Sequence, residues 1–160
     1  MSPPRTSRLA NLRRWWALPA IDRRRLIRAA IRLLAIDLRL RLRGFAAVSA
    51  AGGRPIPARE AGGESAIEPW VRAVDVAARH HLYPMRCVSR ALALRSFLAE
   101  EGIASDLRFG VRKEGDRLAA HAWIERGGTP IGESSTVAER FAPLVRTDGE
   151  GAKAGRDAFC

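Results

Sequence analysis

The spacing of apolar residues changes at Gly102, and no other feature of this sequence constrains the fold as strongly. Before Gly102, apolar side chains recur every three or four residues, which is the spacing of one face of an α-helix. After it, residues 107–111 and 118–124 have the pattern of strands, and residues 113–116 between them have the composition of a hairpin turn. A chain of 160 residues in which helices precede strands predicts a single α+β domain, with N-terminal helices and a core packed on a small antiparallel sheet.

An Arg-rich arm, residues 1–48, opens the chain. Its apolar residues alternate with arginines and fall on one helical face, and they are Ile27, Ile31, Leu34, Leu38, Leu42 and Phe45. We expect this stripe to pack against its own domain, and a basic amphipathic helix lying on a membrane surface is the alternative. The Leu-Arg alternation at 38–43 has a two-residue period, so a strand is the alternative for this end of the helix. The Gly- and Pro-rich residues 49–64 predict a linker.

Two further helices are predicted between the linker and Gly102. The first begins with Ser65, which forms a capping-box pattern with Glu68 three residues later. Its apolar stripe comprises Ile67, Val71, Val74 and Ala78. The second spans residues 86–101, and Gly102 lies where the C-terminal cap of a helix belongs. Cys87 is therefore predicted at the N-terminus of a helix.

The charge balance is strongly positive. Lys and Arg number 28 against 17 Asp and Glu, which gives a net charge of +11, and nearly all of these cations are arginines. This excess favours an acidic partner, although a GC-rich genome also produces arginine in place of lysine. Nucleic acid is not an expected partner, because no recognition motif accompanies the charge.

The two cysteines, Cys87 and the final residue Cys160, form no disulfide framework, which is typical of a reducing compartment. The sequence also has no secretory signal and no uninterrupted apolar run of membrane-spanning length, so we predict a cytoplasmic protein. No cofactor motif or cluster of metal ligands is recognisable, and we interpret His80-His81 as a helix end. Residues 146–160 are predicted to be a disordered tail.

Cys87 and His121 are the candidate catalytic pair. A cysteine reacts as its thiolate, which a helix N-terminus and a neighbouring imidazolium stabilise. His121 falls in the second predicted strand, on a sheet against which the helix of Cys87 would pack. A carboxylate on the next strand would then orient the imidazole. The alternative is structural, with Cys87 as a small buried apolar residue and His121 as a strand histidine beside Trp123.

Five blocks of sequence carry a resemblance to a known family. They are RCVSRALALR at 86–95, EGIA at 101–104, FGVRK at 109–113, AHAWIE at 120–125 and VAERFAP at 137–143. In this order they closely resemble the leader peptidase of lasso-peptide biosynthesis, a transglutaminase-like cysteine hydrolase. The resemblance is strong over residues 69–144, and the Arg-rich arm also looks like the N-terminal part of that family. It implies a transglutaminase/papain-like core at 65–145.

The resemblance also implies roles for individual residues. The nucleophile falls on Cys87 and the base on His121, and the family's third member, usually Asp, falls on Glu133. Glu125 is a rival third member because it lies on the same strand face as His121. The backbone N–H of Cys87 would help to hold the oxyanion, and Tyr83 is a candidate for the second oxyanion donor.

The implied activity is hydrolysis of one peptide bond in a precursor peptide, which removes the leader. The chain resembles the stand-alone protease half of a split enzyme, so a separate leader-binding protein and an ATP-dependent, asparagine-synthetase-like cyclase are the expected partners. The Arg-rich arm is the candidate surface for contacting one of them. Two alternatives remain open from the sequence, a transglutaminase-like acyl transferase and a non-catalytic scaffold that binds a peptide.

Overall fold

The fold is described by a computed structural model, which covers residues 16–52 and 64–143, with side chains at 16–44 and 64–142. Its elements are α1 (Ala20–Gly52), a 3-10 turn (Glu64–Ala66), α2 (Ile67–Arg79), α3 (Cys87–Glu100), β1 (Asp106–Glu114), β2 (Arg117–Arg126), β3 (Thr129–Ile131), α4 (Val137–Arg140) and β4 (Ala142–Pro143). The predicted α+β class is therefore confirmed. Residues 53–63 of the predicted linker and the predicted tail lie outside the described residues, and the division into an arm, a linker and a core stays a prediction.

The sheet has four antiparallel strands in the order β3-β2-β1-β4. The predicted hairpin joins β1 to β2 through Gly115, whose φ of 59° suits a tight turn. Its register places Gly110 opposite His121, and β3 then adds to the free edge of β2. The sequence did not predict β4, because two residues are too short to show a strand period.

Helices α2 and α3 pack side by side, and their contact includes the stacked rings of Trp70 and Phe97, whose centroids are 4.1 Å apart. The capping-box prediction is wrong, because α2 begins at Ile67 and its N-cap residue, Ala66, has no capping side chain. The predicted end of α3 is confirmed. Gly102 has a φ of 76°, and the N–H of Ile103 donates to the carbonyl of Leu98 at 2.8 Å, as in a Schellman cap.

Helix α1 includes residues 38–43, as predicted, and is longer than the sequence predicted. Residues 38–43 are helical, so the strand alternative is wrong. The helix is interrupted at Gly44, which has a φ of 73°, and then continues to Gly52, into the predicted linker. Phe45, the last residue of the predicted stripe, lies outside the residues whose side chains are described.

The face of α1 that packs on the domain is not the predicted one. The stripe from Ile27 to Leu42 is exposed, and the buried residues are Ala29, Leu33, Ile36, Asp37 and Leu40. Apolar residues occupy two faces of this helix, and periodicity alone does not select between them. The buried face has Ala29, which permits close approach of the helices, and Asp37, whose carboxylate accepts hydrogen bonds from Tyr83 and Ser89 of the neighbouring segments.

The polar edge of α1 is bound to the helix that begins with Cys87. Arg28 and Arg32 both donate to the carboxylate of Glu100, near the end of α3. The guanidinium of Arg32 also lies 4.8 Å from the ring centroid of Phe97, within the range of a cation–π contact. Part of the arginine excess therefore stabilises the domain itself. Among the described helices, α1 included, none is long and apolar enough to cross a membrane.

Candidate active site

Cys87 is the first residue of α3, as predicted from the sequence. Arg86 before it is extended, with φ −66° and ψ 149°, so the chain enters the helix abruptly and the side chain of Cys87 is buried at its N-terminal end. The first N–H groups of a helix lack carbonyl partners within the helix and point out of its N-terminus with a partial positive charge. This position can therefore stabilise a thiolate or an oxyanion.

Cys87 and Glu133 line the same cavity, which lies between helices α2 and α3 and the edge of the sheet. An ion pair also contributes to its wall, since Arg90, one helical turn after Cys87, donates to Asp75 of α2 at 3.0 Å. The remaining walls are largely apolar, and the cavity volume is about 40 Å³. The cavity therefore has room for a group the size of a water molecule or a carbonyl oxygen near the thiol, but not for a chain segment.

His121 lies on β2, where successive side chains point to opposite faces of the sheet. Ala122 and Ile124 face the core shared with the helices, whereas Trp123 belongs to a second apolar cluster with Phe141. The imidazole of His121 stacks on this second cluster, with its centroid 5.1 Å from the ring of Phe141 and 6.0 Å from that of Trp123. Two aromatic neighbours thus fix the plane of the imidazole.

Glu133 connects the histidine to the cavity of Cys87. Its Oε1 lies 3.3 Å from Nε2 of His121. The hydrogen bond from His121 lowers the pKa of Glu133, an effect that burial opposes and that the charges of His121, Arg90 and Arg140 reinforce. A carboxylate that accepts the Nε2 proton leaves Nδ1 as the nitrogen that can take a proton from a thiol.

Glu125, the rival carboxylate, makes different contacts. It is buried and accepts hydrogen bonds from Nε1 of Trp123 at 2.8 Å and from Nε of Arg108 at 3.0 Å. Its two oxygens thus hold the indole of the second cluster and a neighbouring strand. Of the two carboxylates predicted as orienting groups, Glu133 is the one whose contact with the imidazole is observed.

A comparison with known families identifies the superfamily of this chain. A sequence profile described as the Transglutaminase-like superfamily matches residues 30–146, well over half of the chain. The chain belongs to the transglutaminase-like superfamily. Neither a curated protein nor a solved structure matches it. The match includes Cys87, His121 and Glu133, and it begins within α1, so that part of the Arg-rich arm falls within the superfamily domain.

In this transglutaminase-like domain, Tyr83 does not face an empty oxyanion position. Its hydroxyl donates to Oδ2 of Asp37 at 2.9 Å, and this contact uses the one proton that an oxyanion would need. The contact argues against Tyr83 as the second oxyanion donor. Asp37 also accepts from Nε of Arg41 at 2.6 Å and from Oγ of Ser89 at 3.2 Å.

Sequence reasoning missed Asp37, although a carboxylate within an apolar helix face, four residues before an arginine, was a usable signal. Burial of Asp37 places a hydrogen-bonded charge directly beneath the first turn of α3, because Ser89 is two residues after Cys87. Asp37 thereby joins α1, the loop before Cys87 and the nucleophile's helix in one polar network.

Sequence reasoning also missed Gly110, which makes room for the aromatic wall behind His121. A Cβ atom at Gly110 would lie 2.7 Å from Cβ of Phe141 and 2.9 Å from Cη2 of Trp123. A glycine in the middle of a strand is a recognised sign of such a close approach. Within the described residues, no group of three or more His, Cys, Asp and Glu side chains is arranged to hold a metal ion.

Proposed function

We propose that this protein is a cysteine peptidase that removes the leader from a ribosomally made lasso-peptide precursor. The observation that carries the proposal is the contact of Glu133 with Nε2 of His121 at the cavity lined by Cys87. The superfamily includes cysteine hydrolases and acyl transferases, so the chemistry at Cys87 is common to both. The choice of the leader peptide as substrate is supported by the five sequence blocks described above.

In the first half of the reaction, Nδ1 of His121 takes the thiol proton, and the thiolate of Cys87 attacks the carbonyl carbon that precedes the core peptide. The backbone N–H of Cys87, at the positive end of α3, donates to the oxyanion. The C–N bond then breaks, the imidazolium protonates the leaving amine, and the leader remains attached to Cys87 as a thioester. Glu133 holds the ring through Nε2 in both protonation states.

In the second half, water attacks the thioester carbonyl while Nδ1 of His121 accepts a proton from it. The C–S bond breaks, the Cys87 thiolate regains that proton, and the leader leaves with a free carboxylate. The core peptide already carries a free N-terminal amine. An ATP-dependent, asparagine-synthetase-like cyclase would consume this amine, and a separate leader-binding protein would deliver the precursor in the cytoplasm, so both are proposed as partners.

We expect a precursor gene beside the gene of this chain, and the proposal is tested by incubating the purified chain with that precursor peptide, with and without the leader-binding protein. Mass spectrometry follows the free leader and the core peptide. We expect the wild-type protein to release both products. The variants Cys87→Ala and His121→Ala should release neither. Cys160→Ala is the matched cysteine control and is expected to cleave like wild type. A precursor left intact in the presence of the partner refutes the peptidase proposal and favours a scaffold.

The same assay separates hydrolysis from acyl transfer. Added methylamine would appear on the leader C-terminus as an N-methylamide if an amine, rather than water, takes the acyl group from Cys87. A leader released only as the free acid supports the peptidase. A leader recovered mainly as the amide at millimolar amine would assign the chain to the acyl transferases.

The role of Glu133 has its own matched pair of variants. Glu133→Gln removes the charge that stabilises the imidazolium, and we expect kcat/KM to fall by roughly 10² to 10⁴-fold. Glu125→Gln changes a carboxylate that contacts Trp123 and Arg108, and cleavage is expected to stay near the wild-type rate. The reverse ranking of these two variants would make Glu125 the third member of the triad.

A further inference from the structure

The exposed side of α1 carries a continuous apolar seam. We define the exposed seam as Ile27, Ile31, Leu34, Leu38 and Leu42, whose side chains are between 46% and 76% exposed. The opposite side of the same helix is buried against α2 and α3. Single exposed aliphatic residues are ordinary on protein surfaces, but five in a row along four helical turns are not.

The spacing of the seam indicates what would cover it. Its members are separated by four, three, four and four residues, close to the alternation of three and four by which one helix packs along another. On a helix with 3.6 residues per turn they lie within about 80° of each other. This width is that of a coiled-coil seam, whereas helices that lie in a lipid surface present a broader apolar face. The seam therefore fits a partner helix better than a membrane.

The charges around the seam indicate the chemistry of that helix. Arg24 continues the line of the seam at its N-terminal end and Arg39 flanks it near its C-terminal end; both are exposed, and neither has an ion pair within the described part of the chain. The two carboxylates of α1 do not offset them, because Asp22 pairs with Arg25 and Asp37 is buried. The rim of the seam is thus positive at both ends.

A second copy of this chain does not satisfy that rim. In an antiparallel pair of α1 helices, Arg24 of one copy would lie near Arg39 of the other, and a parallel pair would place identical arginines together. Like charges at such flanking positions destabilise helix pairs. A helix with carboxylates beside its apolar residues would instead neutralise the arginines at either end.

We propose that the exposed seam is a docking surface for an amphipathic helix of a partner protein, with aliphatic residues at three- and four-residue spacing and Asp or Glu on both flanks. The apolar seam supplies the buried area, and the arginines select an acidic partner and its orientation. This inference does not depend on the proposed peptidase activity, and its test does not measure cleavage.

The test uses two synthetic helices as probes. Both are three-heptad peptides with Ile and Leu at the core positions; one has Glu at the flanking positions and the other has Lys. Each peptide repels itself and stays monomeric, so its apolar face remains available. Fluorescence anisotropy at roughly 50 mM and 500 mM NaCl should show micromolar binding of the Glu peptide that weakens with salt, and no binding of the Lys peptide.

Three variants assign any binding to the seam. Leu38→Glu places a charge in the centre of the seam and should weaken the binding of the Glu peptide at least about tenfold. Leu118→Glu is the matched control, because Leu118 on β2 is 67% exposed and lies outside the seam. The double variant Arg24→Glu with Arg39→Glu should reverse the preference, so that the Lys peptide binds. Circular dichroism checks that each variant keeps its helices.

Several results would overturn the proposal. They are failure of the Glu peptide to bind, equal binding of both peptides, or equal losses in Leu38→Glu and Leu118→Glu. Light scattering that shows a wild-type dimer abolished by Leu38→Glu would assign the seam to a second copy. Co-sedimentation with phosphatidylglycerol vesicles, lost in the same variant, would assign it to a membrane.

Discussion

Replacing Asp37 with alanine should destabilise the protein by about 2–3 kcal/mol, the cost of leaving buried hydrogen-bond donors without their acceptor. Asp37 is 1% exposed, and Ser89, one of its three donors, is fully buried. Without the carboxylate, the hydroxyl of Ser89 has lost its acceptor in the interior, and a cavity replaces the two oxygens. Arg41 is half-exposed and can turn to water, so its contact contributes least to this value.

A milder substitution removes the charge of Asp37 and keeps the shape of its side chain. Asp37→Asn keeps one acceptor oxygen, and the hydroxyls of Tyr83 and Ser89 can rotate to accept from the new amide, so we expect a loss of about 1–2 kcal/mol. The double variant Asp37→Ala with Ser89→Ala should be destabilised by less than the sum of the two single variants. We expect the difference, which is the coupling free energy of the two side chains, to be about 1 kcal/mol or more. Urea unfolding followed by circular dichroism measures each value, provided that the denaturant slope is unchanged.

The pH dependence provides a second readout. Burial by itself would raise the pKa of Asp37, but hydrogen bonds from Arg41 and Tyr83 and the charge of Arg41 outweigh it and lower the pKa. A lowered folded-state pKa contributes stability above the unfolded value of about 3.9 and loses it as the pH falls through the folded value. The stability gap between wild type and Asp37→Asn should therefore narrow below about pH 4. A loss under 1 kcal/mol for Asp37→Ala, or a gap that widens in acid, would refute this account.

Three further predictions concern the site. Gly110→Ala should cost about 1–3 kcal/mol in urea unfolding, because the new Cβ overlaps the backbone-proximal atoms of Phe141; an unchanged midpoint would contradict the close approach. Gly132→Ala should also destabilise, since Gly132 has a φ of 71° and a Cβ there would lie 3.1 Å from Val71, and it should slow cleavage by displacing Glu133. The pKa of Glu133 is lowered in the folded protein, so its contribution to folding stability should be complete above the pKa of an unfolded carboxyl group and should be lost as the pH falls through the folded pKa. In urea unfolding at several pH values, Glu133→Gln should lack this part of the loss of stability in acid.

Local sequence patterns were sufficient to predict the features that depend on neighbouring residues. Helical spacing followed by Gly102 predicted the end of α3, and the glycine turn predicted the hairpin that carries His121. The position of Cys87 at the start of α3 follows from the same local pattern. These features depend on backbone preferences over a few residues, which a sequence pattern reports directly.

Which side chains meet depends on how distant segments of the chain pack. Both faces of α1 are apolar, and the buried one is the face on which Asp37 finds Tyr83 and Ser89, which lie about fifty residues away along the chain. Glu125 and Glu133 are equally good orienting groups by residue type, and the path of the chain after β3 brings Glu133 to the imidazole. Contacts of this kind depend on how distant segments pack, and the periodicity of one segment contains no information about its partner.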